Sequence, residues 1–178
     1  EKEKQNECLE VAMNIFKDLL QVDSKEQIKQ WIKVAIKKII QRGITGVHDA
    51  WQDRCTIEAI KELIEEGEFP IRCYGMLGSN DTALLNDFFA KGHYNSDHYS
   101  IRSVKAFIDG ALGSRGAALH DPYCDDTNNC GLILISKDDF REIAELCYQY
   151  NYQLNTHAIG DRGNSYVLDC YTKILGHN

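Results

Sequence analysis

Apolar residues recur along this chain at two periods that alternate. Up to about position 41 the spacing is helical: Leu9, Met13, Phe16 and Leu20, then, after a break at Asp23 and Ser24, Ile28, Trp31, Ile32, Ala35 and Ile39. Steps of three and four residues predict two amphipathic helices, with Ser24 suited to cap the second. Beyond them, short apolar runs at 44–48, 70–77, 103–108 and 152–157 predict strands. Amphipathic stretches at 56–66, 82–91 and 137–150, and from the turn after His157 to about 175, predict helices. Strand alternating with helix implies an α/β fold with a parallel sheet and right-handed crossovers. The chain has only two prolines, no linker and no internal repeat, so residues 1–178 read as a single domain. Residues 109–131 break the rhythm. They are too many for an ordinary strand-to-helix connection and are rich in Gly, Asp, Asn and Arg, which points to a functional loop at the carboxyl edge of the sheet.

Composition narrows the field. A chain of 178 residues that is 43% hydrophobic and 26% charged can bury a core. A net charge of −7 and a pI near 5.3 argue against nucleic acid or anionic membranes as partners, because both repel a net anion. The apolar runs, such as that around 34–40, are broken by lysines well short of the ~20 residues a membrane span needs. The chain opens on Glu1 without a basic-then-apolar stretch, so no targeting peptide is read and the expected compartment is the cytoplasm. The seven cysteines are scattered and odd in number, which suits reduced thiols. Cys124 and Cys130 come nearest to a pair, at a spacing that favours a loop disulfide over a zinc site.

Three polar outliers at strand ends carry the candidate chemistry. Lys105 interrupts the apolar run Val104, Ala106, Phe107, Ile108, where an ammonium stripped of water is costly. Desolvation lowers a lysine's pKa. The neutral amine can then take up carbon dioxide and become a carbamate, an anionic bidentate oxygen ligand. The plainer reading pairs Lys105 with Asp109 or Asp161. His157 ends a parallel strand and precedes a helix, a position from which a neutral imidazole can bind a metal or move a proton; helix capping or a backbone hydrogen bond is the alternative. His48 and Asp49 close the first strand, where a buried hydrogen-bonding role is expected over a ligand role. In the long loop, Arg115 and Tyr123 could hold a substrate. His93, His98 and His177 lie in polar or terminal contexts that suggest no catalytic part.

Four ordered blocks carry a resemblance: Gly43-Ile44-Thr45-Gly46-Val47-His48-Asp49; Val104-Lys105-Ala106-Phe107-Ile108-Asp109-Gly110-Ala111-Leu112-Gly113-Ser114-Arg115; Asp121-Pro122-Tyr123; and His157-Ala158-Ile159-Gly160-Asp161-Arg162. In order and spacing they resemble the metal-dependent amidohydrolase superfamily, in its family 3 branch with the N-substituted formamide deformylases and the imidazolonepropionase-like proteins. The resemblance implies a TIM (β/α)8 barrel with metal ligands at the carboxyl ends of strands one, four, five, six and eight. Counted against that plan, this chain is a partial barrel covering strands two to five. Lys105 corresponds to the carboxylated lysine that bridges metals, and His157 to the strand-five ligand. Arg115, Tyr123 and Asp161 would shape the substrate pocket.

The chain also departs from the family plan. No histidine precedes Ile44, so the His-x-His of strand one is absent. The strand-six histidine and the strand-eight aspartate that acts as general base have no counterpart in residues 1–178. A whole barrel takes about 250 residues, and the chain therefore reads as a central part of a larger protein, inactive alone. The implied activity is hydrolysis of non-peptide carbon–nitrogen bonds by water activated on one or two divalent ions, zinc above all. The implied partner is a small amide-type substrate, and a homo-oligomer is compatible. Two other classes stay open: a non-catalytic α/β binding or regulatory module, and a half-barrel that pairs with another chain to cover its sheet edges. No glycine-rich phosphate loop follows the first strand, which disfavours a nucleotide-binding module.

Overall fold

The computed structural model describes residues 23–176. The helix expected around Leu9 to Leu20 lies outside them, as do Cys8 and His177. The chain enters through helix α1 (Lys25–Ile40), whose cap Ser24 accepts a hydrogen bond from the Gln27 amide at 3.2 Å. Then follow β1 (Gly46–Gln52), α2 (Arg54–Glu65), β2 (Arg72–Gly78), α3 (Thr82–Lys91), the short β3 (Tyr94–Asn95), β4 (Tyr99–Phe107), α4 (Lys137–Gln149), β5 (Gln153–His157) and α5 (Asp161–Leu175). Three more helices begin on side chains able to take up an orphan amide: Asp53 caps α2, Asp81 caps α3 and Ser136 caps α4.

The sheet is parallel in the order β1-β2-β4, with β5 alongside β4; β3 pairs antiparallel with the start of β4 through Tyr94 and Asn95. Four parallel strands in sequence order with helices on one side give the parallel α/β sheet that the alternation predicted, and fit the barrel segment that the resemblance implies. The helix side is apolar. Ile57, Ile60 and Leu63 of α2 and Leu84, Leu85, Phe88 and Phe89 of α3 pack on Cys73, Leu77, Ile101 and Val104. A second cluster joins Ala106 and Ile108 to Phe140 of α4 and Val167 of α5. No helix among the described residues is long and apolar enough to cross a membrane.

Several expectations shift. The first strand does not end at His48 and Asp49 but runs on to Gln52, so His48 sits mid-strand. The reason lies on the helix side of the sheet. There Gln52, 1% exposed, donates to Asp49 Oδ2 at 2.7 Å and accepts from the Tyr99 hydroxyl at 2.5 Å, a network that anchors the last residue of the strand past an irregularity at residue 51. The buried face of α1 is also turned from the expected stripe. Trp31 and Ala35 are exposed, while Lys29 and Ile36 are buried. Lys29 is drawn in by α2, where its ammonium meets Glu66 at 2.5 Å and Glu62 at 3.3 Å. Lys25 pairs with Glu62 and Lys33 with Glu68, completing a row of lysines against an acidic helix. The six described cysteines are free thiols, Cys124 and Cys130 included.

Candidate functional site

Lys105 and His157 lie on one face. In the β4–β5 ladder Lys105 is opposite Asn155 and Phe107 opposite His157. Residues two apart on a strand share a face, so all four side chains stand on the concave side, away from the helices. The Lys105 ammonium rests over the Phe107 ring, 4.6 Å from its centroid, so the side chain runs toward the carboxyl end of β4. The His157 ring lies 5.2 Å from the same Phe107 ring. One aromatic side chain thus touches both polar groups.

Neither Asp109 nor Asp161 pairs with Lys105, which makes no ion pair among the described residues. Burial alone lowers its pKa from the ordinary lysine value, a shift toward the neutral amine. His157 remains 28% exposed at its side chain, with Nε2 3.8 Å from Asp109 Oδ1, a separation that orients the ring electrostatically but is too long for a hydrogen bond. Below His157 on the same face, the Asn155 Nδ2 is buried and has no partner. This donor set fits part of a divalent-metal site: a lysine amine whose pKa burial lowers and an imidazole partly open to solvent. Among the described residues no three His, Cys, Asp or Glu side chains gather into a metal-holding group.

Asp109 organises the surroundings. It is 1% exposed and its carboxylate accepts three backbone amides: Ala118 N at 2.9 Å, Ile159 N at 2.9 Å and Gly160 N at 2.8 Å. The end of β4, the long loop and the turn after β5 are therefore tied to one side chain. Glycines allow the approach, since a Cβ at Gly160 would run into the Ala118 carbonyl and one at Gly163 would lie 2.7 Å from Asp109 Oδ2. The other loop residues are also engaged. The Tyr123 hydroxyl donates to Ala117 O at 2.8 Å, and Arg115 forms a two-pronged pair with Asp125 at 3.2 and 2.9 Å. Asp161 accepts from His120 N at 2.9 Å and Arg162 N at 2.8 Å; these amides, His120's first, hold its carboxyl below the usual carboxylate range.

Trp51 escaped the sequence reading. It is the extra residue where the β1–β2 register shifts between Ala50 and Gln52, and its φ is 81°. A bulky residue in that region is an outlier that costs roughly 1–3 kcal/mol, and a bulge at a strand end re-aims a side chain. The indole lies across Gly78, where an added Cβ would come within 3.1 Å of it, and reaches the Phe107 ring at 5.2 Å between centroids. Gly78 is the ladder partner of Lys105. A strand reading by apolar pattern sees only one more aromatic here; the positive φ is invisible to it.

The profile of the Amidohydrolase family matches residues 3–176. Among curated proteins, the chain is 26% identical over 188 aligned positions to Protein LONG AFTER FAR-RED 3 of Arabidopsis thaliana, covering 96% of this chain and 31% of that one. It is 25% identical to the putative amidohydrolase YtcJ of Bacillus subtilis, over 84% of this chain and 29% of that protein. Two crystal structures of metal-dependent hydrolases, from Pyrococcus horikoshii and Pyrococcus furiosus, superpose with TM-scores of 0.80 at 25% identity. The superposed region covers 86% and 94% of this chain but 32% and 35% of theirs. The chain thus spans about a third of the length of the relatives it matches.

Proposed function

Because the chain belongs to the amidohydrolase family, we propose that it forms part of a metal-dependent hydrolase of non-peptide amide-type bonds, with Lys105 and His157 as two ligands of a divalent ion, zinc. The observation that carries this reading is Lys105: a lysine on the concave face of the sheet, its pKa lowered by burial, without an acidic partner and beside the same aromatic ring as His157.

In this reading the neutral Lys105 amine adds to carbon dioxide. The new N–C bond forms as the nitrogen releases a proton to solvent, and the product is a carbamate with two oxygen donors. His157 offers a neutral imidazole, kept in orientation by the Asp109 carboxylate beneath it. A bound divalent ion supplies Lewis acidity toward a carbonyl oxygen and makes water acidic enough to ionise near neutral pH. Arg115, still partly exposed beside Asp125, contacts the substrate, while Tyr123 and Asp161 shape the wall through their backbone hydrogen bonds. The aspartate that takes the proton comes from outside residues 1–178, and the chain alone is inactive or nearly so.

The test is metal content and intact mass, in bicarbonate and zinc, on the full-length protein and on Lys105→Ala and His157→Ala. We expect about one or two zinc ions per chain. Both variants should lose metal along with hydrolysis of a panel of N-acyl amines, by more than the ~10–100-fold of an outer-shell change. The mass of the carbamate should vanish with Lys105. A full-length protein without metal, and variants that behave as the parent, would overturn the proposal.

A further inference from the structure

The concave face of β5 carries Gln153, Asn155 and His157 in succession, two residues apart. Gln153 accepts a hydrogen bond from the Tyr74 hydroxyl at 3.1 Å, and His157 stands beside Asp109. Asn155 between them is different, because its Nδ2 is buried and has no partner. The described residues themselves close this nitrogen off, so its missing acceptor is not a matter of surface that the rest of a longer protein would cover. Among the described residues the other unpaired buried side-chain nitrogen is Nε of Arg162, whose guanidinium is nonetheless held by Nη2 donating to the Cys130 and Gly131 carbonyls. An amide donor left unpaired out of water is costly and calls for an explanation.

The neighbour that supplies one is Lys105, the ladder partner of Asn155. Partners in adjacent strands lie about 4.8 Å apart, with their side chains on one face. As an ammonium Lys105 has only protons to offer, and it rests over the Phe107 ring, 4.6 Å from the centroid. Ammonium and Nδ2 are both donors, and the ring beside them adds only a π face. A carbamate reverses this, because the lysine then carries two acceptor oxygens. We propose that Asn155 is a positioning residue for Lys105, its Nδ2 donating to a carbamate oxygen and so favouring the carboxylated lysine over the free amine. The inference rests on the carbamate reading above and adds the residue that holds the group. Carbon dioxide adds to the neutral amine, the N–C bond forms as one C=O electron pair moves onto oxygen, and the nitrogen's proton leaves to solvent. Nδ2 gives up no proton; it donates a hydrogen bond to the resulting anion, and bonds to a charged acceptor are the stronger kind.

The experiment follows carbamate occupancy in the full-length protein, in zinc, by the carbon-13 resonance of labelled bicarbonate taken up at Lys105, as bicarbonate is raised from trace levels. Lys105→Ala supplies the blank. Asn155→Leu, similar in size but without a donor, is expected to raise the half-saturating bicarbonate about 10-fold or more, and Asn155→Asp, of the same shape but with acceptors only, to raise it further. Asn155→Gln keeps the amide and should recover part of the parent's value. Urea midpoints on the same samples separate this role from a structural one, which would shift unfolding and leave the bicarbonate midpoint in place. Half-saturation unchanged in Asn155→Leu and Asn155→Asp overturns the proposal while leaving the carbamate reading intact; should Asn155→Leu not fold, Asn155→Asp decides alone. A parent protein without a carbamate resonance at any bicarbonate concentration overturns the carbamate reading, and this inference with it.

Discussion

Asp109 shows how much one side chain can determine at this edge. Its two oxygens serve three amides that come from the loop and from the turn after β5, and each amide left unpaired in a dry place costs about 1–3 kcal/mol. Asp109→Ala should therefore destabilise the protein by roughly 3 kcal/mol or more, measured by urea unfolding, and should accelerate hydrogen exchange at Ile159 and Gly160 first. A loss under 1 kcal/mol, or exchange that stays slow, would mean water replaces the carboxylate. The sequence made Lys105 and His157 legible because each is a polar residue in an apolar run. Asp109 was legible only as a polar neighbour, since two of its donors lie some fifty positions along the chain and no local pattern links them. Trp51 was hidden for another reason: its distinction is a dihedral angle.

Among the elements, α1 and α2 are joined by charge as much as by apolar contact. The Lys25 side-chain hydrogen bond, then that of Lys29, depress the Glu62 pKa, and hydrogen bonds to Glu62 and Glu66 raise those of Lys25 and Lys29 respectively. A depressed carboxyl contributes stability above its ordinary value of 4.5 that is lost as pH falls through the depressed one. A raised lysine contributes below 10.5 and loses that contribution as pH rises through the raised value. The docking of α1 should accordingly be flat across neutral pH and weaken at both extremes, and high salt should shrink this pH dependence because these pairs reach solvent. Thermal melts from pH 2 to 8 should show Glu62→Gln with a shallower acid limb than the parent; superimposable limbs would remove Glu62 from the account. Helix positions were readable from caps and periodicity. The turn of α1 was not, because a hydrophobic count ranks Trp31 above Lys29 and ignores the acidic face that draws the lysine in.

At the largest scale, the described residues form a sheet with an uncovered edge on each side. Within the described residues β1 pairs only with β2 and β5 only with β4, and unpaired strand edges template association. Residues 1–178 on their own should self-associate with rising concentration in sedimentation runs; a strictly monomeric profile would mean those edges are already covered. The order of the parallel strands could be read from the alternation of strand and helix. The two-residue β3 could not, being shorter than any periodic signal. The tie at Asp109, reinforced where Gly131 and Gly160 press against the Ala117 and Ala118 carbonyls, has a consequence for traffic through the site. A stretch as long as 109–131 invites thought of a lid, yet one pinned at both ends and in its middle cannot lift as one body without breaking its bonds to the turn that follows His157. It is a doorframe rather than a door.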